Sequence, residues 1–272
     1  MTIAELEEDR VVEGVYAVRM KRKLRTKSGA TYLALELVDP TGRVEARVWN
    51  DVELLDGRFV EGDAVRVLAR VEKFRDRLQL DVRSLESADV DPQTLTPALR
   101  RDRDELDGFL DFLVAELTHP GLRATVVATL GDRDLGSFPA TYEDHHSYAG
   151  GLLEHTVGVA TLARETAQLH PRLRGDLLLA AALVHDVGRT LELGPGPAFS
   201  PTAEGRLLGH VHLGLRLVEE RAEGLTSAQL AELLHCVAVH HDARGARTAE
   251  AGVLYHANQL DAIAATRRTE AP

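Results

Sequence analysis

The apolar residues of this chain change their spacing once, and that change decides what it can fold into. Up to about Ser87 they alternate with polar residues or form β-branched runs broken by turns; from about residue 104 they recur every three to four positions. Alternation puts every second side chain on one face of a strand, whereas the longer period makes one stripe along a helix. A β part is therefore followed by an all-α part, and 272 residues suffice for each to bury its own core. Residues 88–103 are polar, hold two prolines and lose the alternation, which marks a linker between domains at 1–87 and 104–272.

Five strands are expected in the first part, at residues 11–23, 31–38, 44–49, 64–73 and 77–83. Asp39-Pro40-Thr41-Gly42 turns the second into the third, residues 51–59 make an excursion after the third, and Phe74-Arg75-Asp76 joins the last two. That is the layout of a five-stranded OB-fold β-barrel, a common oligonucleotide platform. A net charge of -11 argues against a nucleic-acid partner, but its distribution does not. Residues 19–27 hold six basic side chains and no acid, and residues 19–77 carry 14 basic against 10 acidic groups, a net +4. Lys21, Arg22, Lys23, Arg25 and Lys27 are the candidate phosphate contacts, with a plain solvated face as the alternative. Tyr32 and Phe74 are candidate base-stacking residues. Trp49 could stack bases as well, but the alternation leaves its face ambiguous and the barrel core is its preferred assignment.

In the second part helices are expected at residues 104–118, 121–130, 151–168, 176–187, 205–223, 227–240 and 249–266. The longest apolar run, residues 177–184, falls far short of the ~20 residues that cross a bilayer. The acidic start at residues 1–9 lacks the basic-then-apolar signature of an export signal, so a cytoplasmic protein with no membrane partner is expected. The single cysteine, Cys236, excludes an internal disulfide and a cysteine-based zinc knuckle, and its helical neighbours assign it to packing.

All 12 histidines lie at or after residue 119. Several occupy positions where a core residue is expected. His155 shares a helical face with Leu152, Val159 and Leu162; His185 follows Leu178; His210 lies with Leu207, Leu213 and Leu217; His240 follows Val237; Asp261 follows Leu254 and Ala257. One histidine on an apolar face is ordinarily a satisfied core residue. Burying five or more ionisable groups together is costly unless a divalent cation stabilises neutral imidazoles and ionised carboxylates at once. The pairs His185-Asp186 and His240-His241 can each present two ligands from a helix end, with Gly188 at the position that terminates the first of these helices. His145 and His146, just before the helix of His155, are either caps or substrate-phosphate contacts. His212 and His235 are expected to face elsewhere.

These residues resemble a family. HHSYAGGLLEHT at 145–156, LVHDVG at 183–188, EGRLLGH at 204–210 and LYHANQLD at 254–261 are similar to the words of the YhaM-type 3'→5' exoribonucleases, which place an OB-fold before an HD phosphohydrolase domain. LELVDPTG at 35–42, through Trp49, resembles their nucleic-acid-binding module. The resemblance implies 3'→5' cleavage of single-stranded RNA, and often DNA, to nucleoside 5'-monophosphates. It implies two divalent metal ions, manganese first, with iron, zinc or magnesium as alternatives. His155, His185, Asp186 and Asp261 would hold one ion and His210, His240 and His241 the other, with Asp186 shared and acting with Arg189 in catalysis. Arg189 stands where the family motif has lysine, and it adds a planar fork suited to phosphate. The stretch from His241 to Asp261 is shorter than the family's.

Two other readings compete with the exonuclease. An HD phosphohydrolase acting on a small nucleotide or cyclic dinucleotide would use the OB-fold for regulation and would lack salt-sensitive binding to a polymer. A non-catalytic adaptor would require a broken ligand set, whereas every ligand position here is filled. The oligomeric state is left open by the sequence.

Overall fold

The structure, a computed structural model, describes the chain apart from residues 97, 98, 100, 143–145, 195–197 and 267–272. Two compact units are built on Met1–Ala98 and on Leu99–Gly194 with Ser200–Pro272.

The first unit is a closed barrel with strand order β1-β2-β3-β5-β4. β1 (Val11–Arg25) pairs antiparallel with β2 (Thr31–Asp39) along one half and with β4 (Ala64–Phe74) along the other. A bulge between Val18 and Met20 interrupts the β1–β2 register, and such an irregularity lets one long strand bend between two partners. β3 (Gly42–Val48) pairs antiparallel with β2, and β5 (Arg77–Ser87) runs parallel to β3 and antiparallel to β4, which closes the barrel. The excursion after β3 contains a short helix, α1 (Val52–Asp56), and a 3-10 turn at Pro92–Leu95 packs on β1 and β2.

Register decides which side chains face inward. Leu33, Leu35 and Leu37 on β2 and Val44, Ala46 and Val48 on β3 are buried in the barrel core. Residues one step away face outward in rows, because cross-strand partners share a face. Arg22, Ala34 and Arg47 form one such row across β1, β2 and β3, and Leu24 and Tyr32 begin the next.

The second unit is helical: α2 (Arg103–Ala115), α3 (Pro120–Leu130), α4 (Gly151–Leu169), α5 (Gly175–Val184), α6 (Arg189–Glu192), α7 (Ala203–Glu220), α8 (Ser227–Ala238) and α9 (Ala249–Thr266). α5 is apolar on every side and buried from Leu177 to Val184, packed by α3, α4, α8 and α9. A helix without a polar face belongs at the centre of a bundle. Cys236 is buried in the same core, as its neighbours imply. Among the described residues no helix is long and apolar enough to cross a membrane.

Several helices end earlier than expected, and two departures bear on the site. α5 ends at Val184, so His185 and Asp186 lie in a tight turn instead of a last helical turn. Gly188 keeps right-handed torsions (φ -61°), so it is not the left-handed terminator that its position suggested. Its requirement is space: a Cβ there would lie 2.0 Å from the carbonyl oxygen of His210. The second departure is a break in α7 at Gly209, whose φ of 70° and ψ of 162° are not helical. Glycine alone adopts such torsions without strain.

Candidate metal centre

Asp186, 2 % exposed, is the hub. Its Oδ1 lies 3.3 Å from Nε2 of His210 and 3.3 Å from Nε2 of His240, while its Oδ2 lies 3.8 Å from Nε2 of both His155 and His185. The two carboxylate oxygens thus face two different groups of imidazoles. His155 and His185 come from α4 and the turn after α5; His210 comes from α7, and His240 and His241 from the turn after α8. Asp186 with His155 and His185, and Asp186 with His210, His240 and His241, each gather ligand atoms close enough for one metal ion.

The rings are held by their other nitrogen. His185 Nδ1 donates to the Ala182 carbonyl at 2.8 Å and His240 Nδ1 to the Val237 carbonyl at 2.6 Å, each bond reaching three residues back. A carbonyl only accepts, so in the neutral ring the proton sits on Nδ1 and the Nε2 lone pair faces Asp186. His155 Nδ1 is held in the same way by Asp261 Oδ2 at 2.6 Å. His210 Nδ1 lies 3.5 Å from Glu192 Oε2.

These atoms fit a cation. Nε2 of His155 and Nε2 of His185 are 3.3 Å apart, and those of His210 and His241 are 3.0 Å apart. Facing lone pairs repel at such distances, yet ligand atoms about 2.1 Å from one ion stand at roughly this separation. Asp186 Oδ1 and His240 Nε2 are buried without a hydrogen bond, an uncompensated cost that an ion between them would remove. Nitrogen-rich sets of this kind suit manganese, iron or zinc better than magnesium.

Electrostatics matches. Burial would raise the Asp186 carboxyl, but the Arg189 guanidinium and the surrounding imidazoles outweigh it and hold the group well below the usual range. Burial, reinforced by neighbouring imidazoles, pushes His185 down to about 3 and His241 down to about 3, so both are neutral and free to ligate near pH 7. Arg189 donates to Glu192 at 2.6 Å, and its buried Nε, 3.8 Å from Asp186 Oδ2, has no hydrogen bond.

Two expected residues sit differently. Asp261 Oδ2 accepts from His155 Nδ1, and its carboxylate is gathered with His146 and His155 in a further group whose ligand atoms lie close enough for an ion, not with His185 and Asp186. His146 is not presented to a substrate strand. It is buried, with Nε2 3.0 Å from Asp261 Oδ2 and Nδ1 2.9 Å from the Tyr148 hydroxyl, which donates to Glu154. Burial opposes protonation of His146, but Asp261 and Glu154 outweigh it and raise the ring to about 9. His145 lies outside the described residues. His212 and His235 belong to none of the metal-capable groups found among the described residues. Glu192, which the sequence reading missed, is the third residue after Arg189 and touches both Arg189 and His210.

On the barrel, Trp49 is not a core residue. It is 47 % exposed and stacks on Tyr32 with ring centroids 4.7 Å apart. Val44, Ala46 and Val48 take the inward positions, and that leaves the next residue outside. The Arg47 guanidinium stands 6.0 Å from the Tyr32 ring, so Arg22, Leu24, Tyr32, Arg47 and Trp49 make one basic and aromatic outer patch. Phe74 is exposed at the β4–β5 hairpin with Arg75 over its ring.

The basic cluster divides. Lys21 is not a strand contact: its ammonium bonds the carbonyls of Asp56 and Phe59 and the Asp56 carboxylate, tying α1 to β1, because its register with Leu35 turns it toward the barrel end. Lys23 pairs with Glu53 and Asp56. Arg22, Arg25 and Lys27 are exposed, with no ion pair among the described residues.

Fold and site define a two-domain protein. An OB-fold nucleic acid binding domain matches at residues 15–88 and an HD domain at residues 152–263. The resemblance to the YhaM-type family holds over most of the chain. It is 28% identical over 251 residues to the 3'-5' exoribonuclease YhaM of Geobacillus sp. (strain WCH70), covering 86% of this chain and 77% of that one. To the protein of the same name from Bacillus subtilis (strain 168) it is 26% identical over 267 residues, covering 92% and 84%. Among solved structures, the second OB-fold domain of replication protein A from Methanococcus maripaludis matches 33% of this chain and 95% of its own at 22% identity and a TM-score of 0.28. That last likeness adds nothing to the barrel already described.

Proposed function

We propose that this metal-dependent phosphodiesterase is a 3'→5' exonuclease that shortens single-stranded RNA, and DNA as well, to nucleoside 5'-monophosphates, with two divalent ions, manganese first. The observation that carries it is the division of Asp186, Oδ1 toward His210 and His240 and Oδ2 toward His155 and His185. The relatives named 3'-5' exoribonuclease supply the direction of attack and the sugar. When bound, two such ions activate water and neutralise charge on the phosphate.

The chain's own residues do the rest. His155, His185 and Asp186 are sealed from solvent, whereas His210 is half-buried and His241 is exposed, so substrate phosphate reaches the second group first. Arg189 turns a buried, unbonded Nε toward the same place and can grip a phosphate oxygen. The patch of Tyr32, Trp49, Arg22 and Arg47, with Phe74, Arg25 and Lys27, is suited to stacking bases and meeting phosphates without sequence preference. In this reading residues 1–87 capture the strand, 88–103 link and 104–272 hydrolyse.

The test is a time course with manganese and 5'-labelled single-stranded RNA and DNA, with and without a 3'-phosphate. A ladder shortening from the 3' end and lost with chelator is expected. Intact oligonucleotides under several metals, with hydrolysis of a cyclic dinucleotide or mononucleotide, would instead establish the small-nucleotide phosphohydrolase.

A further inference from the structure

We propose that Glu192 is the positioning residue of the His210 group: it bridges the break in α7 and fixes His210 and Arg189 together. The inference rests on the two-cation reading above and concerns a residue that has no part in the ligand set.

The break at Gly209 carries the argument. In an uninterrupted helix the amide of His210 would bond the carbonyl four residues earlier. With Gly209 at φ 70°, ψ 162°, that amide instead donates to Glu192 Oε1 at 3.2 Å. Glu192 thus acts for the second half of α7 as a capping side chain acts at a helix start. Its other oxygen, Oε2, takes Arg189 Nη1 at 2.6 Å and faces His210 Nδ1 at 3.5 Å. One carboxylate therefore sets the backbone of a ligand, the edge of its ring opposite Nε2, and the arginine beside Asp186. A carboxylate behind a ligating imidazole fixes its tautomer and ring orientation.

The carboxylate cannot drift, because its backbone is clamped. The Glu192 amide bonds the Gly188 carbonyl at 2.9 Å and the Glu192 carbonyl accepts from Thr202 at 2.8 Å. Gly205 crosses so close that a Cβ there would lie 2.2 Å from the same carbonyl oxygen. Burial would raise the Glu192 carboxyl, but His210 and Arg189 outweigh it and keep it ionised. In the sealed group the corresponding supports are the Ala182 carbonyl behind His185 and the Asp261 carboxylate behind His155, and neither spans a helix break.

The experiment is a calorimetric titration of Mn2+ into the metal-free full-length chain, comparing wild type, Glu192→Ala and Glu192→Gln, with hydrogen exchange of residues 203–212 measured before metal is added. Wild type is expected to bind two ions. Glu192→Ala should bind one as wild type does and the other about 10–100-fold more weakly, with faster exchange at the His210 amide. Glu192→Gln keeps an oxygen for that amide but no charge for Arg189, so it should retain protection and lose part of the affinity. It also serves where alanine impairs folding. Unchanged affinity at both sites, or a uniform loss at both, overturns the positioning role. A wild-type chain that binds fewer than two ions overturns the two-cation reading itself, and the proposal with it.

Discussion

The two groups that share Asp186 each hold a buried imidazole oriented by its own chain, His185 and His240, but they differ in the ligands around it. His155 and His185 are fully buried and held by groups within the core, whereas His241 is exposed and His210 sits beyond a helix break, steadied by a side chain. The sealed group keeps its geometry at the expense of access. The open group gains access and needs a separate device for geometry. Metal-assisted hydrolysis of a phosphodiester requires both properties, and here they are divided between neighbours.

The largest effect tests the residue common to both groups. Asp186→Ala should lower hydrolysis of a labelled oligonucleotide on the order of 1000-fold or more, while strand affinity in a filter-binding assay stays within a few fold. Residual turnover near wild type would remove the bridge from the comparison. Chelation should then separate the halves. Stopped-flow metal release into EDTA is expected in two phases, and His241→Ala should accelerate only the faster. A single phase for the wild-type chain would mean that the groups are not different in access.

Acid should act on both halves, since His185 and His241 are each held at about 3, and the buried His185 is the clearer case. His185 stands at about 3 in the fold against an ordinary 6.5, so the unfolded chain binds more protons between these values. Its contribution is fully present above about pH 6.5 and is lost as the pH falls toward 3, by on the order of 1.4 kcal/mol per pH unit. Urea denaturation of the metal-free chain across that window checks it, and His185→Ala should flatten the slope. The smallest effects belong to the barrel. Trp49→Ala and Tyr32→Ala should each weaken single-strand binding by ~1–3 kcal/mol with no change in hydrolysis of a small phosphodiester. Equal losses on both substrates would count against a separate capture surface.

Much of this was legible in the chain, and the failures have physical causes. The barrel followed from alternation and turn residues, and the gathering of His155, His185, Asp186, His210, His240 and His241 from ionisable residues recurring on apolar helical faces. Trp49 was misassigned although Val44, Ala46 and Val48 already filled the inward positions. The direction of Lys21 depends on its pairing with Leu35, a register that local composition does not encode. The break at Gly209 hid inside an unbroken helical period, since a glycine satisfies both helix and kink. Glu192 looked like any charged residue at a helix end, because its partner amide exists only once α7 has broken.

One arrangement bears on how such a centre tolerates change. His185 and His240 each take their ring orientation from a carbonyl three positions back in their own chain. Their ring orientation is therefore set within a four-residue stretch, although the His240 carbonyl also accepts from Asn258 of α9 at 3.3 Å. A change of length between these turns and the next helix need not re-aim either nitrogen, so the passage from His241 to Asp261 can reshape the mouth of the centre while its floor stays as it was.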